Sequence, residues 1–472
     1  MKRRTYAAPA LFVIAIVGVF LLRTQTASSQ TASPSITSFK ASDPGVRASP
    51  TSGAKPGDPL PNLTPGQLAL FNAGKAEFME TETAEEGLGP RMNLDSCVGC
   101  HTQPAAGGSS PKVNPQVDFA AQSVGNVLPS FISLNGPVRE VRFVRNPDGS
   151  PDGGVHSLFT MQGRKDAPGC NLAQPNFAAA VASNNVIFRI PTPVFGAGLI
   201  EQIPDSAILA NQASNTAAKL ALGIRGKPNI VLAGSAISGQ PNFNGNDGTA
   251  ARFGWKAQNK SLLLFAGEAY NVEMGITNEL FQTERDEAPG CQYTGTPNST
   301  TNSEVQTSPD ALSAIEKFAA FMRFLAPPAA ANSPGSPSSL ATGKMLFSTV
   351  GCVHCHTPTL TTGTSSVAAL SKQAVNLYSD LLVHDMGPGL ADGVRQGQAG
   401  PREFRTAPLW GLGQRIFFLH DGRTSDLQVA IEQHRSGSTP TGDASEANAV
   451  TIRYNQLSEQ NKQNLLNFLR SL

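Results

Sequence analysis

Six residues, Gly351-Cys-Val-His-Cys-His356, hold two cysteines and two histidines, and a second cluster, Cys97-Val-Gly-Cys100-His101, lies far upstream. Thiolate and imidazole are good zinc ligands, and a structural zinc needs four of them around a tetrahedron. Two C-x-x-C steps could supply that set as a ribbon. However, the gap between the copies is much longer than a zinc ribbon uses, and each copy is followed at once by His. C-x-x-C-H is the attachment signature of c-type haem. The two thiols add to the vinyl groups, and the next residue ligates the iron. The pattern therefore predicts two covalently bound haem c groups. Cys97, Cys100 and His101 would hold the first, and Cys352, Cys355 and His356 the second, with His101 and His356 as proximal iron ligands. His354, between the thiols, is a bystander on this reading.

In bacteria such attachment takes place outside the cytoplasm, and the N-terminus agrees. Lys2-Arg3-Arg4 precede an uncharged run from Ala7 to Leu22. A basic start followed by an apolar run predicts a signal peptide or membrane anchor over residues 1–23. The run is a little shorter than the roughly 20 apolar residues of a full span. Residues 24–61, rich in Ser, Thr and Pro, predict a flexible tether. The expected location is periplasmic or otherwise extracytoplasmic, with an N-terminal membrane tether if the leader stays. Four of the six cysteines are taken by haem, which leaves Cys170 and Cys291, each ending an Ala-Pro-Gly-Cys step. In an oxidising compartment a disulfide is the plain expectation; two separate thiols or a redox-active pair are the alternatives. A net charge of +1 implies neither nucleic acid nor an anionic surface as partner.

The haem anchors need elements to position them, and these recur in two copies. Gly74-Lys75-Ala-Glu-Phe78 precedes the first anchor and Gly343-Lys344-Met-Leu-Phe347 the second. Each reads as an N-terminal helix whose glycine permits close crossing of a partner helix. The partners are "DALSAIEKFAAFMRFL" from Asp310 to Leu325, with Leu312, Ile315, Phe318, Ala319 and Met322 on one face, and "LSEQNKQNLLNFLRSL" at the C-terminus. The predicted fold is mainly α, with two class I cytochrome c-like haem domains over residues 62–330 and 335–472. The first carries a long insertion, roughly 110–300, read as loops and short strands because Gly, Asn and Pro are frequent there.

Several longer stretches carry a resemblance. "FLHDGRTSDLQVAIEQH" (Phe418–His434) resembles the loop and helix of bacterial di-haem cytochrome c peroxidases, in which H-D-G precedes a helix bearing an axial ligand. "RFGWKAQNKSLLLFAGEAYNVEMGITNELF" (Arg252–Phe281), "LLVHDMGPGLAD" (Leu381–Asp392) and "REFRTAPLWGLG" (Arg402–Gly413) are similar to the peroxidase-related bacterial di-haem oxidoreductases, some of which are called thiol oxidoreductases. The resemblance implies that His434, fourteen residues after His420 where the peroxidases typically carry Met, is the second axial ligand opposite His356. His384 and Met386 are the alternatives. Asp426 would cap that helix, with Leu427, Ala430, Ile431 and His434 sharing a face. His for Met should lower the potential of the second haem.

At the first haem no His falls between His101 and His156, so the displaceable distal His of those peroxidases is missing or replaced. His156 is the candidate replacement, and an open iron is the alternative. Glu201 stands in the region where the peroxidases place a distal Gln or Glu, and it is the candidate proton shuttle. Trp410 lies in a stretch corresponding to a segment between the haems. The implied activity is peroxidase-like: the first haem reacts with peroxide, or with oxygen in a variant reading, while the second relays electrons from a redox protein or small donor. A bound calcium is allowed by the resemblance, although no ligand set is legible. An electron-transfer cytochrome with both irons closed, and an oxygenase acting on an organic substrate, are the rival functions. A thiol oxidoreductase using Cys170 and Cys291 is the weakest, because no C-x-x-C remains outside the haem anchors.

Overall fold

The first long helix, Pro65–Met79, begins at a reciprocal cap. The Thr64 hydroxyl accepts from Gln67 N while the Gln67 side chain accepts from Thr64 N, and Pro65 fills the first turn. It crosses the helix Ala314–Phe324 at Gly74, where an added Cβ would lie 2.1 Å from the Lys317 carbonyl oxygen. No side chain fits there. The second pair repeats the device: Pro337–Val350 crosses Glu459–Arg470 at Gly343, whose Cβ would lie 2.1 Å from the Asn464 carbonyl oxygen. Both glycines are those singled out in the sequence. Phe71, Phe78, Phe318 and Phe321 seal the first crossing, and Phe347, Tyr378 and Phe468 the second. In this computed structural model the described residues are 39–49, 53–122, 124–237, 241–242, 249–283, 288–305, 309–438 and 442–472. The signal or anchor expected over 1–23 lies outside them. Among them no helix is long and apolar enough to cross a membrane.

The chain is mainly helical, and its described strands pair only two by two. The longest ladder pairs Glu140–Phe143 antiparallel with Val186–Arg189. The helix read from Asp310 starts at Ala314, because the box of Ser313 and Glu316 caps it a turn later. The insertion holds more helix than its composition suggested. Its main element, Leu262–Met274, is capped by the Ser261 hydroxyl and ended by Gly275 at φ 79°. Its buried residues include Leu262, Leu264, Glu268, Tyr270, Asn271 and Met274, so burial wraps the helix and leaves no one-sided apolar stripe to read.

Two expectations about organisation are corrected. Of the tether expected through residue 61, the stretch 41–49 is seated against the fold. Ala41 is buried, Asp43 forms a two-point ion pair with Arg470 and accepts from Leu427 N, and Arg47 N donates to Gly413 O. Backbone and carboxylate bonds hold this stretch, so a composition poor in apolar residues misled. The core also ignores the boundary expected near 330. Leu377, Leu381 and Leu382 belong to the same buried cluster as Phe71 and Phe321. Cys170 and Cys291 are joined, with their Cα atoms 4.5 Å apart.

Candidate functional site

Cys97–Cys100 form a single helical turn closed by His101 N donating to Cys97 O at 3.0 Å. The His101 Nδ1 donates to the Gly108 carbonyl at 3.1 Å, and the Thr192 backbone also lies within hydrogen-bonding reach of the ring. Burial pushes the imidazole down to about 4, so it is neutral near pH 7. A neutral ring with its tautomer fixed by a carbonyl is the form that ligates a metal. Cys352–His356 repeats the geometry. His356 N donates to Cys352 O at 2.9 Å, its Nδ1 donates to Tyr378 O at 3.0 Å, and burial takes this ring to about 4 as well.

Each C-x-x-C-H turn opens into a cavity, and the two differ. The second cavity, about 220 Å³, also receives His434. Asp426 caps the short helix Leu427–Gln433 through Gln428 N and Val429 N, and Leu427, Ala430, Ile431 and His434 all face the cavity, the face read from the sequence. The His434 Nδ1 donates to Ala430 O at 2.7 Å, freeing Nε2. The first cavity, about 110 Å³, contains no histidine other than His101 among the described residues. Acids line it instead. Glu268 and Glu273 come from the Leu262–Met274 helix, and Glu140 from the ladder. Among the described residues nothing hydrogen-bonds the Glu273 carboxylate. Burial, with Glu140 and Glu268 close by and Arg142 opposing, pushes it up to about 8.

The walls fit a group that carries its own polar atoms. Asn93 Nδ2, Arg139 Nε, Arg189 Nε, Gln258 Oε1 and Glu268 Oε1 are buried without partners, and all five residues line the first cavity. One such atom costs about 1–3 kcal/mol. In the second cavity Arg405 and Arg415 have only carbonyl partners, and among the described residues neither meets a carboxylate. Burial lowers both guanidinium groups to about 10. A group with two carboxylate arms, such as the propionates of a porphyrin, matches that pair.

Several residues predicted for the site are elsewhere. Glu201 does not line the first cavity. Its carboxylate accepts from Arg323 Nε and Leu262 N, both at 2.8 Å, so it anchors the start of the acid-bearing helix. We expect Glu201→Ala to lower unfolding stability by about 1–3 kcal/mol in a denaturant titration, with the first site's absorption unchanged. His156 also points away from the cavity: it is stacked on Phe143 and hydrogen-bonded to Asp152 at 2.8 Å. His384 lines the second cavity but is committed, because Nε2 meets Asp380 at 3.0 Å and Nδ1 meets Glu446 at 2.7 Å. With both nitrogens donating to carboxylates, the ring holds a charge and has no lone pair for a metal. Met386 remains on the cavity wall.

Cys355, Asp380 and His384 cluster within metal-binding range, but a thiol and an imidazole are not the oxygen shell calcium takes. The calcium that the resemblance allowed gains no support there. Trp410 occupies a small space beside Arg405 and Arg415, whereas Trp255 lines both main cavities, its Nε1 held by Ile190 O at 2.9 Å. Trp255, Glu268 and Glu273 were missed as site residues. The available signal was two acids without a basic neighbour inside the apolar run Leu262–Met274.

A family model described as "Di-haem oxidoreductase, putative peroxidase" matches residues 141–472. No curated protein matches the chain. Among solved structures, the diheme peroxidase BthA from Burkholderia thailandensis E264 is 14% identical, with 92% of each chain covered and a TM-score of 0.36. A MauG-like protein associated with microbial copper homeostasis is also 14% identical, covering 90% of this chain and 94% of that one, with a TM-score of 0.37. Kuenenia stuttgartiensis hydrazine synthase is 14% identical over 90% and 99%, with a TM-score of 0.32.

Proposed function

The chain belongs to the di-haem oxidoreductase family and is an oxidoreductase of peroxidase type; within that family we propose that its first haem site is where peroxide reacts and its second relays electrons from an external donor. The observation that carries this division is the asymmetry of the cavities: one imidazole and the Glu273 carboxyl, without a hydrogen-bond partner among the described residues, in the first, and two imidazoles with free Nε2 atoms in the second.

Each haem, when bound, supplies the redox chemistry, and the chain's residues supply ligation, proton handling and shape. Cys97 and Cys100, and Cys352 and Cys355, would hold the two groups covalently, within cytochrome c-like frames set by the crossings at Gly74 and Gly343. His101 offers Nε2 to the first site, and the Gly108 carbonyl keeps that nitrogen aimed and basic. His356 and His434 offer Nε2 to the second. Glu273 takes the proton from the attacking peroxide oxygen and returns it to the departing one, the role a base within hydrogen-bond reach can play. Among the described residues no cation hydrogen-bonds its carboxylate, which keeps it free to do both. Arg405 and Arg415, whose partners are carbonyls only, would offset the charge of the second group's propionates. Trp255 lines both cavities, and its indole would carry electrons between them.

We place the enzyme outside the cytoplasm. The basic and apolar N-terminus and the pairing of Cys170 with Cys291 support that location. The test of the division of labour is stopped-flow mixing of the ferric protein with stoichiometric hydrogen peroxide. A rapid change confined to the high-spin part of the Soret band is expected. A spectrum indifferent to peroxide, in the ferric and half-reduced forms alike, would refute the assignment.

A further inference from the structure

Tyr270 stands on the acid-bearing helix between Glu268 and Glu273, and it lines the first cavity. Its phenol donates to Glu82 Oε1 at 2.7 Å. Both residues are buried, at 4% and 5% exposure, and Phe318 packs edge-on against the ring at 5.1 Å. Glu82 has no cation partner among the described residues. Its charged neighbours are Glu77, Glu80 and Glu86, and burial with these acids lifts its carboxyl to about 7 despite the phenol's hydrogen bond. As a structural contact this is a poor choice, since a buried carboxylate without a counter-ion is costly and a Gln would accept the same hydrogen bond. A carboxylate differs from an amide in one useful respect: it can take a proton. A buried phenol gives up an electron readily only when its proton has somewhere to go at the same moment.

We propose that Tyr270 and Glu82 form a proton-coupled redox pair that holds one of the oxidising equivalents delivered by peroxide; this rests on the peroxidase reading of the first site. The step balances. Tyr270 loses one electron to the peroxide-oxidised first site, which is thereby reduced by one. The phenolic O–H bond breaks, its proton bonds to Glu82, and a neutral phenoxyl radical remains. An electron from the reducing donor, with the proton returning from Glu82, restores the phenol. The pair gives the first site a reservoir separate from Trp255, and it keeps a second equivalent available while the electron relay resets.

The experiment is freeze-quench EPR of the intact di-haem protein after stoichiometric hydrogen peroxide. The expected result is a narrow radical signal whose hyperfine structure collapses when the tyrosines are ring-deuterated. Tyr270→Phe, which keeps the ring packing on Phe318, should lose it, and Tyr293→Phe should keep it. Glu82→Gln, which keeps the hydrogen bond and removes the proton acceptor, should also lose it; this variant serves even if Tyr270→Phe does not fold. A radical that survives Tyr270→Phe or Glu82→Gln overturns the pair. So does the absence of any radical while the first site's high-spin signal disappears on peroxide, and in that case the peroxidase reading stands. A high-spin signal that ignores peroxide brings down the peroxidase reading and the pair together.

Discussion

Glu273→Gln lowers kcat/KM for peroxide by about 10²–10⁴-fold, the usual worth of a positioned acid–base group. The amide keeps the side chain's size and removes its proton chemistry. Because nothing among the described residues hydrogen-bonds the Glu273 carboxylate, little structure should be lost with it, and the ferric spectrum should match the parent. The pH dependence has a definite sign. The base must be ionised to accept the first proton, and burial with Glu140 and Glu268, opposed by Arg142, holds its carboxyl up at about 8. The parent's kcat/KM should therefore rise with pH through that region, and the variant's profile should lose the rise. Steady-state assays across pH check both points. If Glu268, whose Oε1 is also buried without a partner, carries the proton instead, Glu273→Gln will be nearly silent and Glu268→Gln will take the large loss.

His434→Met raises the reduction potential of the second haem by on the order of 0.1 V while leaving it low-spin, because thioether ligation favours the reduced iron and axial ligands command a span of about 0.8 V. The cavity holds the side chain on a helix fixed by Asp426 and by Asp43, whose carboxylate accepts from Leu427 N. That support lies outside the changed atoms, so the replacement should seat. Spectroelectrochemical titration reads the shift directly. A potential that does not move would remove His434 from the iron and hand the position to Met386, whose side chain shares the cavity wall.

The parts legible from sequence were those set by short local rules. Each C-x-x-C-H stretch marked a turn that borders a cavity, and the two G-K-x-x-F steps located both helix crossings down to the glycine that each requires. The helix ending at His434 was legible because a cap, an apolar face and an imidazole fall at fixed spacing. The first cavity was harder. Its acids sit on a helix buried on most sides, so Leu262–Met274 carries no one-sided stripe, and a carboxylate there looks like any other until the neighbours are known. Glu201 drew attention by its neighbourhood in sequence, yet the fold spends it on Arg323 and Leu262 N. His156 failed for the same reason, since its partners Asp152 and Phe143 arrive from the turn and strand beside it. Trp255 could be placed on the walls of both cavities only after the two halves of the core had been brought together.

The most direct test of the asymmetry is the EPR spectrum of the ferric protein as purified. One high-spin signal and one low-spin bis-imidazole signal are predicted, the high-spin component persisting in His434→Met and vanishing in a variant that lacks Cys97, Cys100 and His101. Two low-spin signals, unchanged by half-reduction, would mean that both irons are closed, and the chain would then be an electron carrier whose first cavity takes no peroxide.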